Sequence, residues 1–85
     1  MTRDPEKYLY DMLDGCRFLL EFTANEGLER YRSDRAFRSA IERELQNIGE
    51  ALLQLRSLRP DIAARIPEVE RIIGFRHVLY MVTSR

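Results

Sequence analysis

Ala40-Ile41-Glu42-Arg43-Glu44-Leu45-Gln46-Asn47-Ile48-Gly49-Glu50-Ala51 is the middle of the longest and cleanest amphipathic segment in the chain. Phe37, Ile41, Leu45, Ile48, Leu52 and Leu55 recur three or four apart, and Ala40 and Ala51 widen their face. Glu42, Arg43, Gln46 and Glu50 fall largely outside it. That is the signature of a helix with one buried stripe. Ser33 or Asp34 can cap its start, and the pattern runs to about Leu58. Gly49 lies in its interior. It is either a tolerated glycine or the point where a neighbouring helix comes close, and the sequence leaves both open.

Working outward, Asp4-Pro5-Glu6 reads as an earlier helix start. Asp4 can accept a backbone N–H, Pro5 fits the first helical position, and Glu6 suits the positive end of the dipole. Leu9, Met12, Leu13, Cys16, Leu19, Leu20 and Thr23 give this helix its expected inward stripe. Gly15 weakens it slightly relative to alanine. Asn25-Glu26-Gly27 ends it, and Leu28 to Arg32 form a connector or a short helical turn. On the other side, Arg59-Pro60-Asp61 breaks the chain, with Asp61 expected to cap a short turn through Ile62, Ala63 and Arg65. Ile66-Pro67-Glu68 opens a final helix whose expected inward residues are Val69, Ile72, Ile73 and Tyr80, with Leu79 and Thr83 beside them.

The chain has 85 residues, enough for one domain with a small core. A third of the residues are charged and glycines are few, which favours an all-α class. Fourteen basic residues balance fourteen acidic ones. That argues against a large electrostatic footprint for nucleic acid but leaves room for a local patch. Cys16 is the only cysteine, so no internal disulfide forms, and a reducing compartment is consistent with this. With no signal peptide and no long uncharged apolar run, a soluble cytoplasmic protein is expected, with no membrane association. One histidine and one distant cysteine make no zinc pattern, and there is no glycine-rich phosphate loop, so no metal or cofactor is expected. Glu44 and Glu50 lie six apart and are expected to point to different faces as solvated charges.

The chemistry-bearing stretch is Ile72-Ile73-Gly74-Phe75-Arg76-His77-Val78-Leu79-Tyr80-Met81-Val82-Thr83. Arg76 follows Ile72 by four and precedes Tyr80 by four, so it projects from or beside an apolar stripe. A guanidinium there needs a carboxylate, for which Glu44 is a candidate, or a phosphate ligand. His77 is about 100° further round an ideal helix.

The segment Ala40 to Ala51 and the segment Ile72 to Leu79 together resemble the HepT branch of the HEPN proteins. The start at Asp4-Pro5 and the connector from Pro60 to Pro67 fit as well, so the resemblance covers about residues 4 to 79. It implies an antiparallel helical bundle of HEPN type that dimerises, here a single domain over residues 1–85. Many such proteins are metal-independent ribonuclease toxins paired with a small nucleotidyltransferase antitoxin. Their motif runs arginine, a polar residue, a few variable positions, histidine, one residue, tyrosine. The histidine assists proton transfer in 2′-hydroxyl attack, the arginine stabilises phosphate charge, and the tyrosine is what the partner modifies. Arg76 matches the motif arginine, and His77 stands where asparagine is usual. In the commonest spacing the motif histidine falls at Met81 and the tyrosine at Thr83. Neither can do the implied job. The resemblance therefore implies Arg76 and His77 as site residues, RNA as substrate, and impaired cleavage. The family would continue with another helical segment where this sequence stops at Arg85. The rival reading is a non-catalytic dimeric module that holds a nucleotide, an RNA phosphate or the nucleotidyltransferase.

Overall fold

A computed structural model describes residues 4–67 and 69–74, and among these residues there are four helices and a further helical stretch. They are α1 (Pro5–Phe22), α2 (Leu28–Ser33), α3 (Arg35–Leu58) and α4 (Pro60–Ala63), followed by helical residues 69–74. The described residues contain no strand, so the all-α expectation holds.

The helix boundaries follow local chemistry. Asp4 caps α1 by accepting from the Glu6 N–H at 3.0 Å. The helix stops at Thr23, whose hydroxyl donates to the Leu19 carbonyl at 2.7 Å, and Asn25 then takes a left-handed conformation with φ 63°. Of the two expected caps for α3, Asp34 is the one used: its Oδ1 accepts from the Phe37 N–H at 3.1 Å. That bond, helped by Arg30, lowers the Asp34 pKa.

The expectation for Asp61 needs correction. Pro60 occupies the first position of α4, Arg59 is the N-cap, and no side chain caps that end. Asp61 lies inside the first turn and instead grips Arg59 through two hydrogen bonds of 3.0 and 2.8 Å. The proline moves the helix start one residue earlier than the cap reading requires.

α1 and α3 pack antiparallel. Phe22 stacks on Phe37 at 4.9 Å, Gly15 meets Ile48, and Tyr8 reaches the cluster around Leu52 and Leu55. Along this contact, α1 numbers fall as α3 numbers rise. The short α2 spans the turn between them. Beyond Leu58, α4 reverses the chain, so Val69, Ile72 and Ile73 pack onto the core of Leu52, Leu55 and Ala63. The expected α3 face is borne out. Phe37, Ile48, Ala51, Leu52 and Leu55 are buried, while Ile41 and Leu45 are half-buried.

The inward stripe expected for α1 is only partly used: Met12, Leu19 and Thr23 are half-buried, but the rest of it is not covered. Leu9, Leu13 and Leu20 remain 38, 48 and 73% exposed, and Cys16 is exposed too. Gly15 is the helix's buried residue. A Cβ built there would stand 2.8 Å from Ile48 Cγ1 and 2.8 Å from Glu44 Oε1. The bare backbone lets α3 approach, and this rotates Leu9, Leu13 and Leu20 to the side. Tyr8, Met12, Leu19 and Phe22 flank Gly15 and are half-buried. A close helix approach is seen at Gly15; Gly49, where the sequence left that reading open, is buried as well.

Candidate functional site

Arg76 and His77 lie outside the described residues, as do Met81 and Thr83. So does any pairing of Arg76 with Glu44. What the fold does position is the chain that leads to them. Ile72 and Ile73 rest against the core, and Arg56 of α3 donates to Glu70 Oε1 at 2.6 Å. The ion pair is solvent-exposed and worth little alone, so apolar packing sets this stretch in place.

Three surfaces stand out among the described residues. The first is an acidic groove of about 330 Å³ between α1 and α3. Asp11, Asp14, Glu44 and Glu50 line it with Tyr8 and Asn47. Glu44 and Glu50 were expected to serve different faces. They stand on either side of Asn47 and border one groove, because α1 lies along the arc between them. Among the described residues no carboxylate, histidine or cysteine group is arranged to hold a metal ion.

The second surface is an apolar hollow of about 330 Å³ lined by Cys16, Leu19, Leu45, Ile48, Arg71 and Ile72. It joins three helical segments. On α1, the exposed Leu9, Leu13 and Leu20 share the side of Cys16, so the apolar surface continues out of the hollow.

The third surface is the junction of α2 with α3. Tyr31 donates from its hydroxyl to Glu42 at 2.5 Å, and this bond raises the Tyr31 pKa. Arg38 donates to the carbonyls of Tyr31 and Arg32 at 3.2 and 3.0 Å, satisfying the end of α2. Arg30 lies over the Phe37 ring at 4.4 Å and pairs with Glu26 and Asp34. Sequence reasoning missed this junction. Its connector gave no periodicity to read, and Tyr31 and Glu42 are too far apart in sequence for a local helical pair.

No helix among the described residues is long and apolar enough to cross a membrane. Residues 12–80 match the family described as Ribonuclease HepT-like. Three proteins of Methanocaldococcus jannaschii are similar to this chain. "Putative RNase MJ1380" is 30% identical over 79 residues, covering 91% of this chain and 70% of its own length. "Putative RNase MJ1216" is also 30% identical over 79 residues, covering 91% of this chain and 63% of its own. "Putative RNase MJ0127" is 28% identical over 67 residues, with 79 and 53% covered. The chain therefore spans between about half and seven-tenths of these relatives. No solved structure matches it.

Proposed function

This chain belongs to the HepT-like ribonuclease family, and from that premise we propose that it is the RNA-directed component of a cytoplasmic toxin–antitoxin pair. The family match across residues 12–80 carries this reading, supported by relatives whose names say RNase. On this reading the single domain works as a homodimer and binds a minimal nucleotidyltransferase as antitoxin. The apolar side of α1, with Leu13 and Leu20 facing solvent, supports the dimer, since a second copy would cover it.

Arg76 is the residue proposed to hold RNA phosphate, and His77 is the only imidazole available beside it. Cleavage by 2′-hydroxyl attack needs a group that accepts a proton near neutral pH. Arg76 stays charged and cannot be that group. Met81 and Thr83 stand at the motif's histidine and tyrosine positions, so cleavage is proposed to be weak while binding persists.

An RNA-cleavage assay on the wild type, His77→Ala, Met81→His and Arg76→Ala tests this. Weak wild-type cleavage, with RNA binding lost in Arg76→Ala, is the expected result. Robust cleavage abolished by His77→Ala would overturn the impairment and make His77 the proton acceptor. A wild type that binds RNA without cleaving it, even as Met81→His, would favour the non-catalytic module.

A further inference from the structure

The overall charge balance conceals a local segregation. Four carboxylates line the α1–α3 groove, one of them paired with Lys7, and among the described residues no basic side chain lines it. Between Arg30 and Arg43, by contrast, Arg30, Arg32, Arg35, Arg38 and Arg43 outnumber Asp34 and Glu42. Both of those carboxylates are already engaged. Asp34 caps α3 and meets Arg30, while Glu42 accepts from Tyr31. Of the carboxylates just before this stretch, Glu26 pairs with Arg30 at 2.5 Å and Glu29 is exposed on α2.

The arginines differ in what they do. Arg30 and Arg38 are committed to the fold, one stacked on Phe37 and the other closing the end of α2. Arg32, Arg35 and Arg43 are exposed. Arg35, Ser39 and Arg43 are four residues apart on α3 and share one side of it. That side is roughly opposite the buried Phe37, Ile48 and Leu55. Arg32 is exposed at the adjoining end of α2, its carbonyl held by the Arg38 guanidinium. The row presents fork-shaped donors suited to phosphate oxygens, with the Ser39 hydroxyl between two of them.

We propose that Arg35, Ser39 and Arg43, with Arg32 of the adjoining α2, hold the sugar–phosphate backbone of an RNA chain. The inference rests on the RNA-directed reading above. The row positions RNA without reading its sequence, so the contact is sensitive to salt and indifferent to base identity. Glu50, seven residues after Arg43, brings the acidic groove up to one border of the row, so a strand is repelled on that flank.

The test is fluorescence anisotropy of a labelled single-stranded RNA over a series of salt concentrations. The proteins are wild type, the triple variant Arg32→Gln/Arg35→Gln/Arg43→Gln, Arg76→Ala and Arg65→Gln. Circular dichroism checks that each is folded. The triple variant should bind roughly tenfold more weakly at low salt, and its salt slope should fall by about 2, at about 0.7 per lost phosphate contact. Arg65→Gln, which removes an exposed charge elsewhere, should change affinity by less than about twofold. Wild-type affinity and slope in a folded triple variant, with binding lost in Arg76→Ala, would overturn the row and leave the RNA reading intact. No RNA binding by the wild type would overturn both. Loss of binding to phosphatidylserine vesicles, but not to RNA, in the triple variant would assign the row to a lipid surface and overturn the proposal.

Discussion

Leu52 and Leu55 on α3, and Leu9, Leu13 and Leu20 on α1, belong to equally regular apolar rows. The first pair is completely buried, and the second set is 38 to 73% exposed. The difference lies in what each row finds opposite. α3 meets α1 on one flank and the returning chain from Ala63 to Ile73 on another. α1 packs chiefly on α3, to which it presents Gly15, and its Leu9, Leu13 and Leu20 side faces no other described element closely enough to be covered. Periodicity identifies which residues are apolar, but it does not say which flank of the row a partner occupies.

The strongest test of this contrast is truncation at its buried pole. Leu52→Ala or Leu55→Ala should cost about 2–5 kcal/mol in chemical denaturation, since each removes a fully buried side chain and leaves a cavity. Melting temperature should drop by roughly 4–8 °C for each kcal/mol lost. Little change would mean that the core lies elsewhere.

Next comes the pivot between the two rows. Gly15→Ala improves helix propensity by about 1 kcal/mol, yet its methyl would lie 2.8 Å from Ile48 Cγ1. Glu44 can swing its carboxylate aside, but Ile48 Cγ1 sits next to the α3 backbone and has little room to yield. A net loss of about 1–3 kcal/mol is expected. Combining Gly15→Ala with Ile48→Ala should recover part of it, giving non-additive stabilities. Additive losses would show that the two helices are not in close contact there.

At the exposed pole, Leu13→Glu should alter the stability of an isolated chain by no more than about 0.5 kcal/mol. If the row is covered by a second copy, the same change should lower the mass seen by light scattering at micromolar concentration. A stable dimer in both wild type and variant would put the interface elsewhere.

The smallest effect is expected at a site outside both rows. Hydrogen bonding to Arg59 lowers the Asp61 pKa from 3.8 to about 2. Because the folded value is depressed, the stabilisation is present above the ordinary carboxylate range and is lost as pH falls from about 4 toward 2. Both groups are exposed, so the gain is slight. An NMR titration should place Asp61 near 2 in the wild type, and Arg59→Ala should return it toward its ordinary value.

Features decided within a few residues were legible in the sequence. Asp4, Asp34 and the break at Pro60 act through neighbouring backbone, and the α3 face is set by a long regular pattern. The α1 face was legible only in part: Met12, Leu19 and Thr23 are half-buried as expected, but a glycine carries no apolar signal although its absent side chain decided how the helices meet. At the site, Arg76 could be singled out by its place in a motif. The acidic groove could not, since Glu44 and Glu50 border one hollow only once α1 packs beside them.

The Gly15–Ile48 approach also bears on the order of folding. It joins positions far apart in the chain, so forming it closes a long loop before neighbouring contacts reward the step. Leu52, Leu55 and Ala63 are much nearer in sequence, and their contact closes early at lower entropic cost. α3 with the returning chain is therefore expected to form the nucleus, with α1 arriving on it later. Truncations at Leu55 should slow folding, whereas truncations at Met12 should mainly speed unfolding. A lock assembled last is also the first to open, so α1 is the element expected to lift away when the native molecule breathes.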